Sequence, residues 1–220
     1  MKVLSVGYHA AVVAACVALG ACASTQPVRY ASLESSSQLQ PNTSDRSGHV
    51  PYDYSSHVDW SQYSNAVVDP VVIYRGQDAQ FEKVSEEDKQ ALANYMQTQF
   101  SEALGSRFSI ADRPGDRTLR VQLTLTGAKT TKQFVGTFTK FDLAGGPYNV
   151  VQSIRGKEGA LSGSVSYAVE IYDASSDRLL AAYVAKEYPN AMNVKATLGA
   201  LGASKVGIKK GAKDLLARLN

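Results

Sequence analysis

The sequence predicts an α/β chain of the α+β kind: a two-layer domain with a mixed, mostly antiparallel sheet and about two helices packed on one face. Three observations carry that expectation. Leu119, Val121, Leu123 and Leu125 alternate with Arg120, Gln122, Thr124 and Thr126, the two-residue period of a strand with one face in a core. Val165, Tyr167, Val169 and Ile171 alternate with Ser166, Ala168, Glu170 and Tyr172, and a polar turn at 173–177 returns the chain through 179–188 as a paired strand. Apolar residues also recur at helical spacing over 86–104 and again over 203–219.

The chain opens on Lys2 and an apolar segment of ten residues, Ala10 to Leu19. A helical crossing of a bilayer core needs about 20 residues, so this run is too short to span. It suits a secretory h-region with small residues at its end. Leu19-Gly20-Ala21-Cys22 closes the run and resembles a bacterial lipobox. That resemblance implies cleavage before Cys22 and lipid attachment at Cys22, so that N-terminal acyl chains bind the protein to a membrane. Ala23 and Ser24 follow, with no Asp after the cysteine, which resembles an outer-membrane address. The organisation expected is a signal peptide over 1–21, a flexible lipidated tether over 22–50, and a single periplasmic domain over 51–220. The tether is read from residues 23–50, rich in Ser, Gln, Thr, Asn and Pro and without hydrophobic period. As a coil it would span roughly 30 Å.

Composition narrows the function classes. The formal charge of +3 loses only Lys2 with the signal, a balance too mild to argue for nucleic acid. Cys16 leaves with the signal and Cys22 is lipidated, so no thiol remains for a disulfide, a metal or a nucleophilic step. His9 is lost too, while His49 and His57 lie in or beside the tether. With the commonest general base and metal ligands missing from the expected domain, no catalytic, cofactor-binding or metal residue is nominated, and no enzyme is expected.

Beyond the tether, Val67 to Tyr74 reads as a strand broken at Pro70, which cannot hold an interior ladder position. The aromatics Tyr52, Tyr54, Trp60 and Tyr63 before it suit the capping of an open core end better than ligand stacking. Ser85-Glu86-Glu87-Asp88 is a capped, acidic helix start, and Gly105 stands where a left-handed C-terminal cap is expected. A short strand at 108–111 and turn chemistry at 113–116 lead into the alternating segment. Gly127 to Gly163 reads as a long hairpin excursion or a loop that meets a partner. Its Gly127-Ala128-Lys129-Thr130 lacks the glycines of a phosphate loop and is rejected as one. Glu170 and Asp173 are weighed as an acid pair and read as solvated carboxylates, Asp173 in a turn. On the last helix, Ile208, Ala212, Leu215, Leu216 and Leu219 form one face with the lysines largely off it. The stripe suits packing on the sheet better than lying on a membrane, and the glycines at 199, 202, 207 and 211 either weaken the helix or allow close packing.

The segments Trp60-Ser-Gln-Tyr63, Val67-Val-Asp-Pro-Val71, the acid-led helix at 85–104, the Pro-Gly-Asp-Arg-Thr-Leu-Arg turn at 114–120 and Glu170-Ile-Tyr-Asp173 resemble a Gram-negative lipoprotein family catalogued as domain of unknown function 3313. The resemblance covers about 50–220 and carries no activity. More distantly the chain resembles small α/β domains of outer-membrane lipoproteins such as those in curli secretion. The reading that results is a lipid-anchored envelope protein on the periplasmic face of the outer membrane, binding or scaffolding another envelope protein. Two alternatives accompany it: a self-assembling subunit of an envelope or secretion complex, and a carboxylate-dependent hydrolase or glycan-acting enzyme that uses only carboxylates and hydroxyls. The second would need two facing carboxylates in one cleft.

Overall fold

The computed structural model describes residues 25–131, 151, 163–189 and 199–220. Cys22 and the lipobox lie outside the described residues, as does most of the Gly127–Gly163 stretch. Three long strands form the centre: β7 (Thr118–Lys129), β8 (Ser164–Asp173) and β9 (Leu179–Glu187), paired antiparallel in that order. β8 and β9 are the hairpin expected from the alternation around 173–177. β2 (Tyr52–Ser55) pairs antiparallel with β9, and β1 (Gln40–Pro41) with β2.

On the other side of β7 the chain runs parallel to it. β3 (Asn65–Val68), β4 (Val72–Ile73) and β5 (Gln80–Glu82) each pair with β7, aligning Ala66 with Leu119, Ile73 with Leu125 and Phe81 with Ala128. Asp69-Pro70 separates β3 from β4, where the missing proline N–H interrupts the ladder. β6 (Ser109–Ile110) adds a parallel edge to β3. The result is an open, mixed sheet of nine strands whose longest ladders are antiparallel.

Among the described residues two helices cover one face. α1 (Glu86–Gly105) starts at Ser85, whose hydroxyl accepts the Asp88 N–H at 3.1 Å, with three acidic residues in the first turn. Its buried Leu92, Met96, Phe100 and Leu104 meet Leu119, Leu123, Tyr167 and Val169 of the sheet. Gly105 does not supply the left-handed cap expected of it. It is the last helical residue, Ser106 after it has φ −73°, and the final carbonyls are taken by the N–H groups of Ser106, Arg107 and Phe108. α2 (Gly202–Arg218) packs beside α1 and over β8 and β9.

Gly207 and Gly211 explain how close that packing is. A Cβ at 207 would stand 2.8 Å from Val165 Cγ1 and 2.9 Å from Glu187 Cβ, and one at 211 would collide with the Tyr167 hydroxyl. Of the two readings left open for these glycines, close packing holds at both positions. Trp60 and Tyr63, for their part, cap the core as expected. Tyr63 is buried, its hydroxyl donates to Asp173 at 2.8 Å, and Trp60 packs against the same cluster.

The opposite face departs from expectation. Residues assigned to a flexible tether lie across it as a strap. Tyr30, Leu33 and Leu39 are buried with Tyr74, Ala168, Ala182 and Val184 in a second apolar cluster. β7 is accordingly buried on both faces, Thr124 and Thr126 included, instead of half-solvated. The physical reason is sparse spacing. Three large apolar side chains within ten residues bury themselves without any strand or helix period to reveal them.

Candidate functional site

The strap and the sheet face beneath it hold a polar network built largely of contacts between residues distant in sequence. At its start the Lys186 ammonium, itself buried, donates to the Thr25 carbonyl at 2.8 Å, and the Gln80 amide donates to the Gln26 carbonyl at 2.9 Å. The Tyr30 hydroxyl donates to Gln80 Oε1 at 3.1 Å, and its ring meets Tyr74 edge-on at 5.2 Å. Burial lifts the Tyr30 hydroxyl pKa to about 12. Ala31 N–H donates to Asp78 Oδ2 and Ser32 N–H to the Tyr74 hydroxyl, which in turn donates to Asp78 Oδ1 at 2.8 Å.

Glu170 is the latch in the middle. It is 1 % exposed, and its Oε1 accepts the Ser35 N–H at 2.6 Å. Two residues along the same face of β8, the Tyr172 hydroxyl lies 3.4 Å from the same oxygen and donates to Glu34 Oε2 at 3.1 Å. Burial, then the Glu170 and Glu34 charges, push the Tyr172 hydroxyl pKa far above its ordinary value, which keeps it a donor. The Arg120 guanidinium lies over the Tyr172 ring at 4.8 Å and pairs with Asp177 at 2.6 Å. A cleft of about 420 Å³ opens beside this latch, lined in part by Glu34, Tyr74, Arg75, Gln122 and Glu170.

The structure therefore corrects the reading of Glu170 as a solvated carboxylate. Its partner is the strap, 135 residues earlier, and not Asp173. Asp173 is the turn residue expected, accepting from Ser175, Ser176 and Tyr63. The Ser175 and Tyr63 hydroxyls hold its carboxyl well below the usual range. Glu34 and Glu170 do share one cleft, within two hydrogen bonds of each other through Tyr172, and each accepts a hydrogen bond that ties strap to sheet.

A second cluster sits where β9 ends. Glu187, 2 % exposed, receives Lys210 Nζ at 3.1 Å from α2 and His49 Nδ1 at 3.2 Å from the turn before β2. His49 Nδ1 also lies 2.9 Å from the Lys186 carbonyl, so geometry assigns a hydrogen to that nitrogen. The imidazole stacks on Tyr188 at 4.4 Å, and Lys210 bonds Asp214 at 2.6 Å. Burial opposes the charged imidazole, but the Glu187 carboxylate outweighs it and raises the His49 pKa above its ordinary 6.5. His49 thus belongs to the folded body, where the sequence placed it in the tether. Among the described residues no group of three or more His, Cys, Asp or Glu is arranged to hold a metal ion, and no helix is long and apolar enough to cross a membrane.

Among the described residues the fold is thus that of an open α+β sheet protein, with two helices on one face and a latched strap on the other. Residues 29–215 match the family described as Protein of unknown function (DUF3313), and the chain belongs to that family. The match begins inside the strap. Among solved structures, a variant PelC dodecamer from Paraburkholderia phytofirmans is similar at 11 % identity and TM-score 0.39, covering 71 % of this chain and 89 % of that one. A second PelC dodecamer from the same organism gives 9 %, 0.37, 69 % and 88 % in the same order. A DUF330 protein from Xanthomonas campestris gives 12 %, 0.33, 74 % and 87 %. No curated protein matches the chain.

Proposed function

We propose that this protein is a lipid-anchored envelope protein, attached through Cys22 to the periplasmic face of the outer membrane, and that its domain is a binding or scaffolding module and not an enzyme. The observation that carries the reading is Leu19-Gly20-Ala21-Cys22 at the end of an apolar run of spanning-incompetent length. The folded body supports it, because Thr25, three residues past the cysteine that would carry the lipid, is held to the sheet by Lys186. The polar clusters support the non-enzymatic half, because Glu34, Glu170 and Glu187 are each engaged in holding one part of the fold to another.

The experiment is membrane fractionation of the protein and of Cys22→Ala, with mass spectrometry of the N-terminal peptide. Wild type should sediment with outer membranes and carry acyl mass on Cys22. The variant should retain residues upstream of Cys22 and carry no acyl mass. An unacylated wild-type Cys22 would overturn the proposal.

A further inference from the structure

We propose that the end of the sheet formed by Lys129, Ser164 and Glu187 faces the lipid headgroups, held there by a link from Cys22 too short to let it turn away. The inference rests on the lipid attachment proposed above and adds an orientation to it. Thr25 and Gln26 are pinned by Lys186 and Gln80. Lys186 pairs with Ser166, and Gln80 with Gly127, both two rungs from where β7 ends and β8 begins. Three peptide units separate Cys22 from Thr25, which reach about 11 Å at 3.8 Å each.

The opposite end of the sheet is far beyond that reach. β7 has 12 residues, and at 3.4 Å per step the strand is about 37 Å long. Asp116 and the 173–178 turn lie beyond its Thr118 end. A free coil over 23–50 would have spanned roughly 30 Å and left the body unoriented. The strap removes that slack, because Tyr30, Leu33, Leu39 and the Ser35–Glu170 bond hold it along the sheet. Thr131 N–H donates to the Ala200 carbonyl at 2.9 Å and the Ser204 hydroxyl donates to the Ser164 carbonyl at 3.0 Å, so the start of α2 is joined to this same end of the sheet.

The test uses the full-length protein matured in a host that acylates it and reconstituted into phosphatidylethanolamine–phosphatidylglycerol nanodiscs. With Cys22 a thioether and Cys16 removed, an introduced cysteine is the sole free thiol. Ala200→Cys labels the pinned end; Asp116→Cys and Arg178→Cys label the opposite end, all at exposed positions. A fluorophore at 200 should be quenched by a headgroup quencher, and fluorophores at 116 and 178 should not. Insertion of about twenty Gly-Ser residues between Ser24 and Thr25 should abolish the quenching at 200. Equal quenching at both ends, none at either, or quenching at 200 that survives the insertion would overturn the orientation, while acyl mass on Cys22 leaves the attachment standing. Absence of acyl mass sinks the attachment first, and the orientation with it.

Discussion

Glu170 shows how a single carboxylate decides the fate of a segment far from it in sequence. Replacing it with Ala leaves the buried Ser35 N–H without its acceptor, a loss of roughly 1–3 kcal/mol. Urea denaturation of Glu170→Ala should show that loss, and trypsin should cut faster at Arg29 in the loosened strap. Glu170→Gln keeps an acceptor oxygen and should recover most of both. At His49 the sign of the pH effect follows from a raised folded-state pKa. Its link to Glu187 is fully present below about pH 6.5 and is lost as pH rises through the folded value. Wild type should therefore be more resistant to urea at pH 6 than at pH 8, with a smaller difference in His49→Gln. The parity of Glu170 was readable, since it falls on the face opposite Val169 and Ile171. Its partner was not, because nothing local marks a carboxylate that accepts a backbone N–H 135 residues away.

Among the elements, those with a strong period were legible and those set by steric fit were not. The acid-led start, the apolar spacing and the extent of α1 follow from Ser85 and the Leu92–Leu104 stripe. The alternation in β7 and β8 marked both strands and the side of each that faces the core, while their pairing with each other was not read from it. Gly105 misled, because a glycine at the right spacing matters only if the chain turns left-handed there, and it does not. On α2 the helix itself was legible, while the meaning of its glycines depended on Val165, Tyr167 and Glu187 across the gap. Alanine is worth about 1 kcal/mol more than glycine in an exposed helix interior. Here overpacking reverses the sign, and Gly207→Ala and Gly211→Ala should each lose about 1–3 kcal/mol in thermal or urea unfolding. Lys213→Ala on the solvent side should stay within about 0.5 kcal/mol of wild type.

For the molecule as a whole, the strap shortens the chain between the proposed lipid attachment at Cys22 and the folded domain. Composition alone makes 23–50 look like disorder, since Ser, Gln, Asn and Pro dominate it. Tyr30, Leu33, Leu39 and Val50 are few but wholly or nearly buried, and together with the hydrogen bonds that the Thr25 and Gln26 carbonyls accept and the Ser35 N–H donates they hold most of that segment on the body. Leu39→Ala, at 0 % exposure, should cost about 2–5 kcal/mol, a loss no tether residue would show. The most direct measurement is amide hydrogen exchange of the strap in the unlipidated soluble domain, residues 23–220. Ser35 N–H and Leu39 N–H, which donate to Glu170 and to the Ser35 carbonyl, should exchange far more slowly than an unfolded chain, in step with Val184 of β9. Exchange of both amides at unfolded-chain rates, with Val184 still protected, would contradict the account.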